Sequence, residues 1–134
     1  MIAKEGDRAS ITKTISQSDI QAFGELVGDL NPVHVDEAFA KKTRFGGRIA
    51  HGMWGAALIS AVLGTKLPGP GTVYLNQTLK FEAPVYAGDS VTATVTVLKV
   101  RPDKPIVTFE TICSNQNNKV IVRGEAVVLI EEVG

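Results

Sequence analysis

Six side chains able to do acid–base or ligand chemistry sit close together in the chain: Asp29, Asn31, His34, Asp36, Glu37 and His51. A carboxylate and an imidazole aimed at one water molecule are the minimum set for adding water to an activated double bond, or for removing it. Asp29 and His34 are five residues apart in GDLNPVHVD, residues 28–36. Pro32 between them lacks a backbone donor and pushes Asn31 out of the helical region, so the stretch reads as a loop that can point both groups at one place. A plainer reading also stands: DLNP can be an Asx-type turn in which Asp29 and Asn31 satisfy backbone groups near a helix end. Histidines and carboxylates also bind metals, but three donors at metal-site spacing are not evident, and neither a metal nor another cofactor is expected.

Downstream, AHGM places the free amides of Gly52 and Met53 at the positive start of a helix. That end suits a carbonyl oxygen that gains charge as a thioester becomes an enolate, and a glycine there lets a ligand approach the backbone. Other catalytic signatures are missing. Ser60 stands in no GxSxG elbow, there is no GxxxxGK[ST] loop, and GPG at 69–71 fits no dinucleotide fingerprint. The single cysteine, Cys113, excludes an internal disulfide and reads as core, on one strand face with Val107 and Phe109.

The elements that must position these groups follow from periodicity. RASITKTI (8–15) alternates like a strand, and Ser16 with Asp19 three positions later starts a helix whose Ile20, Phe23, Leu26 and Val27 share one face. Gly28 ends that helix, and a second short one is expected over Asp36 to Lys42. Gly52 to Lys66 is apolar on nearly every side, so this helix, about 22 Å long at 1.5 Å per residue, must be surrounded by other structure. After Pro70 the chain alternates as strands: one from Val73 to Phe81, one through Val91 to Val97, then KPIVTFETI and KVIVRGEAVVLI. The pattern predicts an α+β fold, a single antiparallel sheet curved around a central helix, in one domain spanning 1–134.

Composition narrows the partners. With 134 residues, 44% hydrophobic and 21% charged, the chain is of the folded globular type. Fourteen basic residues balance fourteen acidic ones, which argues against a nucleic-acid surface. Ile49 to Leu63, the longest apolar segment, is interrupted by His51 and Ser60 and reads as a buried helix, so no membrane insertion is expected and a cytoplasmic location is favoured.

GDLNPVHVD resembles the Gly-Asp-x-Asn-Pro-x-His-x-Asp motif of the MaoC-like, (R)-specific enoyl-CoA hydratases, a branch of the hotdog-fold superfamily. The similarity extends through RIAHGM, LISAVLGTKLPGPGTVYLNQTLKF, PVYAGDSVTATV and GEAVVL, covering about residues 8 to 130. It implies a hotdog fold in which an antiparallel sheet of about five strands wraps a long helix. It also implies addition of water to a trans-2-enoyl-CoA to give the (R)-3-hydroxyacyl-CoA, reversibly. Asp29 and His34 match the catalytic pair, Asn31 and Ser60 match supporting residues, and Gly52 matches the glycine whose amide polarises the thioester carbonyl. A homodimer joined edge to edge is implied as well, which would cover the exposed edge of an open sheet.

Val27 and Glu37 depart from the family's usual neighbours of the motif, which affects loop shape rather than chemistry. Trp54, Leu58 and Val62 are candidate pocket walls at helical spacing, with Trp54 expected to favour short acyl chains. Lys41, Lys42, Arg44 and Arg48 form a basic cluster near the site. Two alternatives share the motif or the fold: a (3R)-hydroxyacyl-carrier-protein dehydratase, and a noncatalytic acyl-CoA-binding or partner subunit. A hotdog thioesterase fits less well, because WGAALISAVLG carries no acid.

Overall fold

The computed structural model describes residues 3–131, so the expected domain bounds of 1–134 extend past it at both ends. In chain order the elements are β1 (Arg8–Thr14), α1 (Gln17–Val27), α2 (Pro32–Val35), α3 (Glu37–Lys41) and α4 (Gly52–Thr65). Then come β2 (Thr72–Gln77), β3 (Lys80–Phe81), β4 (Ser90–Val100), β5 (Ile106–Ser114) and β6 (Val120–Ile130). All strand pairs are antiparallel, in the order β1-β4-β5-β6-β2, with β3 also on β6.

The period-two patterning decides which face of this sheet is dry. On β4, Val91, Ala93, Val95 and Val97 are buried while the intervening threonines are half-covered. Val107, Phe109 and Cys113 of β5 and Val122, Ala126 and Val128 of β6 continue the same inner face. Leu58, Ile59, Val62 and Leu63 of α4 fill the hollow of the sheet, and the helix touches β1, β2, β4, β5 and β6. Fully burying each of these aliphatic side chains stabilises the fold by about 1.5–3 kcal/mol, which is why so short a helix can sit at the centre. Among the described residues no helix is long and apolar enough to cross a membrane.

Four details differ from the sequence reading, each for a local reason. The sheet has six strands rather than five, because the run 73–81 is broken into β2 and β3. The break lies where the Thr78 carbonyl crosses Gly124 of β6 so closely that a Cβ there would lie 1.8 Å from the oxygen. The motif is not wholly loop: Pro32 occupies the first turn of α2, a position where its missing amide costs nothing, and Asn31 caps that turn. On α1, Ile20 is fully buried but Leu26 and Val27 are 83% and 58% exposed, the last turn of the helix having, among the described residues, no element packed over that face.

The fourth concerns α4, which is not covered all round. Met53, Ala57 and Ser60 are exposed on one stripe, at spacings of four and three residues.

Candidate active site

Gly28, in the left-handed conformation with φ 82°, ends α1 and turns the chain so that the amides of Gly28 and Asp29 both bond to the Gly24 carbonyl. Asp29 thus starts from a fixed point. Its Oδ1 accepts the Asn31 amide at 3.2 Å, and Asn31 Oδ1 in turn accepts the Val33 amide at 3.2 Å. The plain Asx-turn reading is therefore correct as local structure, and it is also what aims the site. Two successive side-chain turns lead into α2, and α2 carries His34.

His34 is buried, at 8% exposure, and its orientation is set by its neighbours. Nδ1 lies 2.7 Å from the Ile49 carbonyl oxygen. A carbonyl can only accept, so Nδ1 carries a hydrogen, and in the neutral ring Nε2 is left with the lone pair. The His34 carbonyl accepts from Gln17 Nε2 at 2.9 Å, which ties α2 to the start of α1.

His51, considered in the sequence but given no role, is the third member. It precedes α4 at the N-cap position yet makes no side-chain cap bond. Instead its Nε2 lies 2.8 Å from the Asp29 carbonyl oxygen, and its ring lies against that of His34 with centroids 3.8 Å apart. Phe23 closes the other side at 5.1 Å. The signal was available: histidine stands where Ser, Thr, Asp or Asn usually cap a helix, so the position serves something other than capping.

One ligand-type atom from each of Asp29, His34 and His51 lies within 4.8 Å of the others. By residue type this trio could hold a divalent ion: with His34 Nδ1 and His51 Nε2 turned to backbone carbonyls, the atoms left over are His34 Nε2, the buried His51 Nδ1 and the exposed Asp29 carboxylate.

The trio stands at one end of a mostly apolar cleft of about 870 Å³, walled by Met53 and Ala57 of α4 and by Tyr74 and Leu75 of β2. Gly52 lines both this cleft and a smaller cavity of about 260 Å³ that Arg44 and Phe81 help to form. Its small size has a specific cause: a Cβ at Gly52 would lie 2.8 Å from the Phe81 ring. The glycine admits Phe81 on one side and leaves the first amide of α4 beside the cleft on the other.

The remaining sequence candidates are placed differently. Ser60 is on the exposed stripe of α4 beyond Ala57 and does not line the cleft. Leu58 and Val62 are buried in the core and Trp54 packs against it, because spacing by four from 54 follows the sheet-facing side of α4. None of these three lines the cleft. Within the basic cluster, Arg48 pairs with Glu37 at 3.1 Å, leaving Lys41, Lys42 and Arg44. Tyr74 and Gln77, which no sequence signal singled out, line the wall facing α4. Cys113 is fully buried under Gly55, and burial pushes its thiol up to about 12, so it is not a nucleophile.

Residues 2–122 match the family described as MaoC like domain. The chain is 56% identical to an (R)-specific enoyl-CoA hydratase of Rhodospirillum rubrum over 98% of its length and 90% of that protein. It is 49% identical to a 3-hydroxybutyryl-CoA dehydratase of Methylorubrum extorquens, over 90% of its length and 76% of that protein. The solved structure of an (R)-hydratase from Aeromonas caviae superposes with a TM-score of 0.93 at 44% identity, covering 96% of this chain and 97% of that one.

Proposed function

The chain belongs to the MaoC-like family, and we propose that its cleft adds water across the double bond of a trans-2-enoyl-CoA to give the (R)-3-hydroxyacyl-CoA, and runs the reverse dehydration. The observation that carries this reading is the convergence of Asp29 and His34 beside the start of α4. Two acceptors, the Asp29 carboxylate and the bare Nε2 of His34, can hold the two hydrogens of one water. As the water oxygen bonds to C3, one of its O–H bonds breaks toward the pair and the C2=C3 electrons move onto the thioester. The Gly52 amide, at the positive end of α4, faces the oxygen on which that charge gathers. The pair then returns the proton to C2 on the same face, so one O–H bond and the C2=C3 π bond are lost and one C–O and one C–H bond are made.

Asn31 serves as the cap that orients α2 and with it His34. His51 serves as the clamp on the Asp29 main chain. The apolar wall of Met53, Ala57 and Leu75 offers the acyl chain a dry path, while Lys41, Lys42 and Arg44 are the nearby cations for CoA phosphates.

A homodimer belongs to the same proposal. β2 is an edge of the sheet and exposes Val73 and Leu75 at 45% and 51%, next to the exposed stripe of α4. A second copy pairing along β2 would cover Val73 and roof the open side of the cleft over Met53, Ala57 and Leu75, leaving the acyl path between the two copies. Light scattering after size exclusion should give twice the 14.3 kDa chain mass.

The deciding experiment follows loss of the conjugated thioester absorbance of crotonyl-CoA, coupled to dehydrogenases specific for (R)- or (S)-3-hydroxybutyryl-CoA. Signal loss with (R) product is the expected result. No reaction with crotonyl-CoA, longer enoyl-CoAs or carrier-protein enoyl thioesters would leave only a binding or partner subunit.

A further inference from the structure

The cleft wall opposite α4 holds a hydrogen-bond chain whose direction is fixed. Gln77 Nε2 lies 2.8 Å from the Thr78 carbonyl oxygen and 3.0 Å from Thr111 Oγ1. A carbonyl accepts only, so the amide face toward Thr78 must be the NH2, and both of its hydrogens are committed. The other Gln77 atom is then oxygen, and it lies 2.6 Å from the Tyr74 hydroxyl. An amide oxygen cannot donate, so the phenol hydrogen points to Gln77. Thr111, fully buried on β5, anchors the chain in the core.

Tyr74 therefore offers the cleft lone pairs and no hydrogen. It stands at a break in the β2–β6 register between Tyr74 and Asn76, which turns this part of β2 out of regular pairing. Burial of the phenol raises it from 10.0 to about 12, so its hydrogen stays in place throughout the working pH range.

A fixed acceptor calls for a ligand donor. The enoyl chain has none, and the hydroxyl made by hydration arises at the water held by Asp29 and His34. Of the donors left on an acyl thioester, those nearest the reacting carbons are the amide N–H groups of the pantetheine arm, common to CoA and carrier-protein substrates. We propose that Tyr74 reads an amide N–H of that arm, so that the Tyr74–Gln77–Thr111 chain selects the carrier portion of the substrate rather than its acyl chain.

The inference rests on the hydratase reading, and its test separates the two. Three substrates are compared in wild type and Tyr74→Phe: crotonyl-CoA, the crotonyl thioester of N-acetylcysteamine, which keeps one amide, and S-ethyl thiocrotonate, which has none. A lost hydrogen bond of ordinary net strength corresponds to about three- to tenfold in affinity. The ratio of kcat/KM for the N-acetylcysteamine thioester over the ethyl thioester should fall by that factor in the variant, through KM. An unchanged ratio, whether both substrates slow equally or neither does, overturns the role of Tyr74 while leaving the hydratase intact. A wild-type protein that hydrates none of the three, and no longer enoyl-CoA or carrier-protein enoyl thioester either, removes both readings.

Discussion

The ring of His51 holds the main chain of Asp29: its Nε2 lies 2.8 Å from the Asp29 carbonyl oxygen, while its face lies against His34. One buried side chain thus touches both members of the proposed water-activating pair without offering the cleft a hydrogen of its own. Its Nδ1 is buried and unpartnered, a cost the fold carries where the ring does positional work.

This relationship predicts an asymmetric response to substitution. Glutamine can place an N–H near the position of the imidazole Nε2, whereas leucine fills the volume and offers no donor. His51→Leu should lose kcat with KM little changed, and His51→Gln should recover about tenfold of the loss, the worth of one ordinary hydrogen bond. Equal kinetics in the two variants would show that His51 only fills space.

Substitution of the pair itself should be more severe. Asp29→Asn keeps the side-chain acceptor for the Asn31 amide but cannot take a proton, and His34→Ala removes the lone pair facing the cleft. Each should lower kcat by roughly a hundred- to ten-thousandfold, with unchanged melting for Asp29→Asn. Near-normal turnover in both, with folded protein by circular dichroism, would place the chemistry elsewhere.

How far the sequence disclosed this site depended on the scale of the signal. The helix inside a sheet was legible, because an α4 segment apolar on nearly every side and long alternating strands admit few packings. Asp29 and His34 were legible because a proline between them constrains the backbone locally. The role of His51 was not, since a histidine at a helix cap shows only that the position does not serve capping, and its partner is a main-chain carbonyl 22 residues away. Trp54, Leu58 and Val62 were placed on a pocket wall because helical spacing shows that residues share a face but not which face meets the sheet. Splitting of the strand at Thr78 depended likewise on a distant glycine, Gly124.

Gly24 links local helix chemistry to the proposed active site. Its carbonyl accepts from both Gly28 and Asp29, and a Cβ at this position would stand 2.7 Å from the Asp29 carbonyl oxygen and 3.3 Å from His51 Cε1. Alanine favours the helix interior by about 1 kcal/mol, but the atom it would crowd is a main-chain oxygen that no side-chain rotation can move away. Gly24→Ala should therefore melt lower than wild type and lose at least tenfold in kcat, as Asp29 and His51 are pushed apart. A variant with full activity would mean that the Asp29 main chain need not be held where it is.

The last prediction concerns alkaline pH. Burial pushes the Cys113 thiol from 9.0 up to about 12, and burial chiefly raises Tyr74 from 10.0 to about 12, with the nearby thiol adding to it. Both groups are neutral when protonated, so the folded chain holds these protons more tightly than the unfolded chain does. Their contribution to stability is complete below about pH 9, shrinks as the unfolded thiol and phenol begin to ionise, and is gone once pH passes about 12. Melting temperature should be flat from neutral pH to about 9 and then fall steeply. Cys113→Ala should melt lower at neutral pH, from the small cavity left under Gly55, but decline more gently above pH 9. A variant whose curve runs parallel to wild type through that range would show that the thiol proton is not coupled to folding.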